Sequence, residues 1–177
     1  MAQKVFRYKM VLFGDIAVGK TSLVERFVND KFEDSYMSTI GYNVYEKQIA
    51  YEDVIISLLI FDIGGQERFR DLRKKYADGA HTAFIVYEIP DLNSFKNINL
   101  WKKDLIEFAG NIPFIVIGNK LDLEQDRQVS KEEGSKYCSE IGAEDFFETS
   151  AKSGEGVEEA FIKLAIKTYE RRTTRGT

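Results

Sequence analysis

The chain has 177 residues, one cysteine, one histidine and a net charge of −4. A zinc site of thiolates and imidazoles needs about four such ligands, and one cysteine closes no internal disulfide, so a zinc module and a stapled secreted scaffold are excluded. The acidic balance argues against nucleic acid as a partner, no apolar run approaches the ~20 residues of a membrane span, and Met1-Ala2-Gln3 opens neither a secretory signal nor a Met-Gly acylation site.

The length fits one domain, expected to span residues 1–177 with a core over about 5–170. Val11-Leu12-Phe13 closes a first strand before Gly14. Leu23, Val24, Phe27 and Val28 put an apolar face on a helix over residues 21–29. Residues 30–38 are polar and aperiodic and predict a loop. Strands are predicted over 44–50 and 54–61, joined through Tyr51-Glu52-Asp53 as an antiparallel hairpin. Buried strands are predicted at 83–87, 114–117 and 146–147, each followed by a helical pattern. The first helix covers 94–108, with Phe95, Ile98, Trp101, Leu105 and Phe108 on one face. The second covers 130–140 and opens on the capping box Ser130-x-x-Glu133. The third covers 157–169. Strands alternating with helices predict right-handed βαβ units. The expected fold is α/β, a six-stranded sheet with five parallel strands, one antiparallel strand and helices on both faces. Ligands of such sheets sit beyond the carboxyl ends of the strands.

Four motifs fall at those ends. Gly14-Asp15-Ile16-Ala17-Val18-Gly19-Lys20-Thr21 matches G-x-x-x-x-G-K-[ST]. Its backbone N–H groups and a helix N-terminus would cradle phosphates. Lys20 would neutralise the β and γ phosphates, and the Thr21 hydroxyl would ligate Mg²⁺. Asn119-Lys120-Leu121-Asp122 follows an apolar strand. The Asp122 carboxylate can accept from guanine N1–H and the 2-amino group, whereas adenine offers an acceptor at N1 and no 2-amino group. A site built on such a buried pair discriminates by about 10⁴ or more. Asn119 would buttress the loop and face N7, with the Lys120 stem over the ring. Thr149-Ser150-Ala151-Lys152 follows the last strand and would offer the Ala151 N–H to guanine O6. Asp62-Ile63-Gly64-Gly65-Gln66-Glu67 puts an acid where a P-loop protein holds Mg²⁺. Gly65 could bring its amide to a γ-phosphate, and Gln66 could orient an attacking water.

With these motifs in order, the chain resembles the Ras-superfamily small GTPases. Ser38-Thr39-Ile40-Gly41, Gly65-Gln66-Glu67-Arg68-Phe69 and Asp91-Leu92-Asn93-Ser94-Phe95 resemble the Rab branch, while Asn43-Val44-Tyr45-Glu46-Lys47 looks partly like Ras. The resemblance implies a P-loop G domain that binds GTP and GDP with Mg²⁺, hydrolyses GTP slowly and switches conformation at residues 34–42 and 63–76. It makes Gln66 and Lys20 catalytic and assigns Mg²⁺ to Thr21, Thr39 and Asp62. It extends the nucleotide contacts to Gly14, Asp15, Ala17, Val18, Gly19, Ser22, Phe32, Tyr36, Leu123, Ser150 and Lys152. Phe32 would pack on the guanine edge and Tyr36 close over the phosphates. Effectors, an exchange factor and an activating protein would read residues 34–46 and 63–76, the chain itself being expected as a monomer.

Departures from the family carry expectations of their own. Ile16 stands where a small or polar residue is usual, beside the γ-phosphate, so slow intrinsic hydrolysis and a poor response to an arginine finger are expected. Gly64 replaces alanine and should make the second switch costlier to order, by roughly 0.5–1 kcal/mol. The alternatives are a nucleotide-bound scaffold with negligible turnover and a small-molecule kinase, for which no acceptor site or lid is visible. His81, Trp101 and Cys138 are expected to be structural. Residues 163–177 carry five basic residues against Glu170, +4 on a −8 body, and read as a solvated helix end with at most weak lipid attraction. Residues 175–177 hold no prenyl-accepting cysteine. The expected location is therefore cytoplasmic, and peripherally membrane-bound only through a lipidated tail outside this sequence.

Overall fold

The computed structural model describes residues 2–176. Strands β1 (Lys4–Gly14), β2 (Tyr42–Tyr51), β3 (Val54–Ile63), β4 (Thr82–Glu88), β5 (Phe114–Asn119) and β6 (Asp145–Glu148) form one sheet in the order β2-β3-β1-β4-β5-β6. β2 pairs antiparallel with β3, and the other neighbours pair in parallel. The fold class expected from the sequence is the one found. Helices are α1 (Lys20–Asn29), α2 (Arg70–Ala77), α3 (Leu92–Lys96), α4 (Ile98–Ala109), α5 (Lys131–Glu140) and α6 (Val157–Thr174).

β1 shows why both faces are covered. Met10 and Leu12 point into one core with Leu23 and Phe27 of α1 and Phe161 and Leu164 of α6. Val11 and Phe13 point into the other with Ile98, Leu105 and Phe108 of α4 and Cys138 of α5. The two-residue period of a strand thus serves two cores, and the strand reads as a continuous apolar run. Phe27 stacks on Phe161 at 4.3 Å, tying α1 to α6. His81 is structural, as expected: its Nδ1 accepts the Lys9 N–H at 2.8 Å and its ring meets Tyr8 edge-on.

Three details differ from the sequence reading. The helix expected over 94–108 is two helices, broken at Asn97, whose side chain reaches the Asp15 carboxylate at 2.7 Å. α2 is absent from the sequence reading, because it is eight residues long, its fully buried residues are Arg73 and Ala77, and only Leu72 and Tyr76 mark an apolar face. β6 is half-buried, since as the edge strand it pairs with β5 alone.

Candidate functional site

The loops after β1, β3, β5 and β6 meet at one end of the sheet, where parallel strands end together. With the 30–38 loop they enclose a cleft of about 710 Å³. Its wall includes Ala17, Gly19, Lys20, Thr21, Ser22, Phe32, Tyr36, Thr39, Gly65, Gln66, Asn119, Lys120, Asp122, Leu123, Ala151 and Lys152, all expected from the sequence.

No side chain caps α1, whose N-cap is Gly19, so the first-turn N–H groups are left for another acceptor. Lys20 begins that helix and is buried. Its ammonium donates to the Gly14 and Asp15 carbonyls, both at 2.8 Å. Burial lowers its pKa to about 8, opposed by the charges of Asp62 and Asp15. A phosphate beside it would favour the charged form again. Gly65 packs against this loop: a Cβ there would lie 2.7 Å from the Gly14 carbonyl oxygen and 3.1 Å from Lys20 Nζ. Only a glycine brings the backbone so close.

The Thr21 hydroxyl donates to Asp62 Oδ2 at 2.5 Å and lies 2.5 Å from the Thr39 hydroxyl. Since Thr21 has one proton and gives it to Asp62, Thr39 must donate to Thr21. Asp62 is fully buried, and its Oδ1 has no hydrogen-bond partner. Burial raises its pKa, against the Thr21 bond and the Lys20 charge. Two hydroxyls and one carboxylate, whose Oδ1 is unpartnered, form a hard-oxygen set that suits Mg²⁺, which takes one or two carboxylates and keeps its other positions for water and phosphate.

At the far end, Asn119 holds three loops together. Its Nδ2 donates to the Val18 carbonyl at 3.0 Å, and its Oδ1 accepts from Thr149 at 3.0 Å and from the Ala151 N–H at 3.4 Å. Lys120 sits in the left-handed region, φ 65°, with its ammonium on the Ala17 carbonyl and on Glu88. Ser150 donates to Asp122 Oδ1 at 2.7 Å, orienting the carboxylate. Asp122 is exposed, not buried as the sequence reading had it; it lies on the wall of an open cleft. Asp15, Val18 and Ser150 serve from behind the wall, through these bonds. Gly14 does so through its carbonyl.

Residues 9–170 match the Ras family. The Rab7 protein of Pisum sativum is 40% identical over 89% of this chain and 80% of its own length. RABG3f of Arabidopsis thaliana is 40% identical over 92% and 84%. Rab-9A of Homo sapiens is 38% identical over 97% and 89%. The chain belongs to the Rab branch of the Ras family. It is a small GTPase, a switch that hydrolyses GTP.

Four residues of this GTPase bear on the cleft although no motif marks them. Asn97 and Trp101 bind the Asp15 carboxylate, Trp101 through its indole N–H at 2.6 Å. Trp101 is therefore more than core, contrary to expectation. Arg26 of α1 donates to the Ala151 and Lys152 carbonyls at 2.8 and 2.7 Å, holding the third loop from below. Arg73 of α2 donates to the Gly64 and Gln66 carbonyls. Their signals in the sequence are those of ordinary surface or core residues.

Proposed function

We propose that the cleft holds GTP or GDP with Mg²⁺ and that one nucleotide-binding domain spans the chain. The observation that carries this is the short Thr39–Thr21–Asp62 contact beside a buried Lys20. Guanine lies on Asp122, which accepts from N1–H and the 2-amino group, with the Ala151 N–H turned from Asn119 to O6. The Lys120 stem and Phe32 border the ring, and the first turn of α1 and Lys20 receive the phosphates. Thr21, Thr39 and Asp62 would hold Mg²⁺, which when bound would neutralise phosphate charge. Gln66 orients a water in line with the γ-phosphorus. The water oxygen forms a bond to phosphorus, the bond to the β–γ bridging oxygen breaks, and GDP and phosphate leave, the water protons going to phosphate and solvent. Little covalent help is needed; positioning and charge neutralisation supply the catalysis.

The γ-phosphate draws in Thr39 and the Gly65 amide and so orders residues 34–42 and 63–76. Tyr36, Met37, Ile40 and Tyr42 are exposed there, with exposed Val44 beside them. This surface receives the regulatory partners that Rab proteins use: effectors, an exchange factor and an activating protein. No described helix is long and apolar enough to cross a membrane, and we infer work from the cytoplasm with at most peripheral membrane association.

The test is the nucleotide that co-purifies with the protein, released by denaturation and identified by chromatography. One guanine nucleotide per chain is expected, displaced by GDP or GTP and not by ATP. Displacement by ATP as effective as by GTP would overturn the guanine reading.

A further inference from the structure

Arg73 is the largest fully buried side chain, at 1% exposure, and the catalytic assignments above do not use it. Its guanidinium bonds two carbonyls of the second switch, Gly64 at 2.9 Å and Gln66 at 2.7 Å. Its guanidinium carbon lies over the Trp101 ring, 5.0 Å from the centroid. Trp101 in turn donates to Asp15 of the phosphate loop. A continuous path therefore runs from the phosphate loop through an indole and a guanidinium to the backbone that carries Gln66. Nε of Arg73 is buried without a partner. Burial of this cation is costly, and the two carbonyls, the indole face and the nearby Glu67 and Asp104 carboxylates offset the cost. If residues 64–66 move away, the charge loses both carbonyls and must turn out to water. Such a contact is all-or-none.

We propose that Arg73 is a positioning residue, a latch that clamps the second switch onto Trp101 and the phosphate loop and so sets how much of the protein holds Gln66 ready for hydrolysis. This rests on the assignment of Gln66 and Gly65 to the γ-phosphate side of the cleft. The latch acts on the switch backbone and touches neither base nor phosphate. Its loss therefore lowers turnover and leaves nucleotide affinity almost alone.

Trp101 is the only tryptophan and lies in the latch itself, so its emission reports the guanidinium on its face. The experiment compares full-length wild type and Arg73→Met, loaded with GDP or a non-hydrolysable GTP analogue. Wild-type emission is expected to change between the two. In Arg73→Met the change should fall by more than half and single-turnover hydrolysis by about tenfold, with fluorescent GDP affinity within about twofold. Hydrolysis and emission change both at wild-type level would overturn the latch. Should Arg73→Met fail to retain nucleotide, Arg73→Lys keeps the charge, but its ammonium ends one bond short of the nitrogen that donates to both carbonyls and brings no planar group to the indole. An intermediate rate supports the latch and an unchanged rate overturns it. Failure of the underlying assignment shows differently: Gln66→Ala would then hydrolyse GTP at the wild-type rate, while the Arg73-dependent emission change persists.

Discussion

Ile16 lines the cleft and is half exposed, on the phosphate loop against which Gly65 packs. A stiff β-branched side chain there would compete for space with Gln66 and with an arginine offered by an activating protein. Ile16→Gly should raise single-turnover hydrolysis and enlarge the response to such a protein, whose arginine can contribute about 10³–10⁵. Equal rates for wild type and Ile16→Gly, both with and without the activator, would count against crowding. Gly64 corrects the sequence reading. Alanine there was expected to ease ordering of the second switch, but a Cβ would lie 2.6 Å from the Thr39 carbonyl oxygen and 2.6 Å from the Phe69 ring. The glycine lets the two switches close on one another, with Gly64 N–H bonded to the Gly41 carbonyl at 3.0 Å. Gly64→Ala is therefore expected to lower hydrogen-exchange protection over residues 64–69 in the GTP-analogue state. Raised protection would restore the entropic account.

At the scale of elements, α5 shows how packing overrides propensity. Gly134 lies inside this helix, where alanine would ordinarily gain about 1 kcal/mol. A Cβ at Gly134 would meet the Phe146 ring at 2.7 Å and the Tyr87 hydroxyl at 2.8 Å. Tyr87 is fully buried in the core, so its ring has little room to move away. Gly134→Ala should therefore destabilise the protein by about 1–3 kcal/mol, as overpacking does, measured by urea denaturation. A stabilised variant would show that α5 can shift outward. The break between α3 and α4 has a different logic. The amphipathic period continues across Asn97, but the chain departs from one helix where that side chain binds Asp15.

For the whole molecule, Cys138 offers a probe. It is 2% exposed in the core between α5 and the sheet, and burial pushes its thiol up to about 12. The thiolate is the reactive form, so a thiol reagent at pH 8 should label it only when the protein opens. Nucleotide at about 100 times its Kd adds about 2.7 kcal/mol to the folded state. Labelling should then slow by about 100-fold where it follows global unfolding. Labelling at an unchanged rate would mean that α5 opens locally, with the nucleotide still held.

The elements and loops were legible in the sequence because they follow from local spacing. Alternation in β1, the 3–4 spacing in α1 and α6 and the four motifs at strand ends are short-range patterns. They sufficed for the sheet, its hairpin and the wall of the cleft. α2 was not legible, since it is eight residues long, places only Leu72 and Tyr76 at helical apolar spacing and turns an arginine inward beside them. The contacts that hold the motifs in place were not legible either. Asn97 and Trp101 meet Asp15 across 82 and 86 residues, and Arg26 meets Ala151 across 125. By itself the sequence determined which chemical groups stand at the ends of which strands. Only the tertiary structure decided what holds them there, because a pair brought together by the winding of the sheet leaves no mark in the spacing between its members.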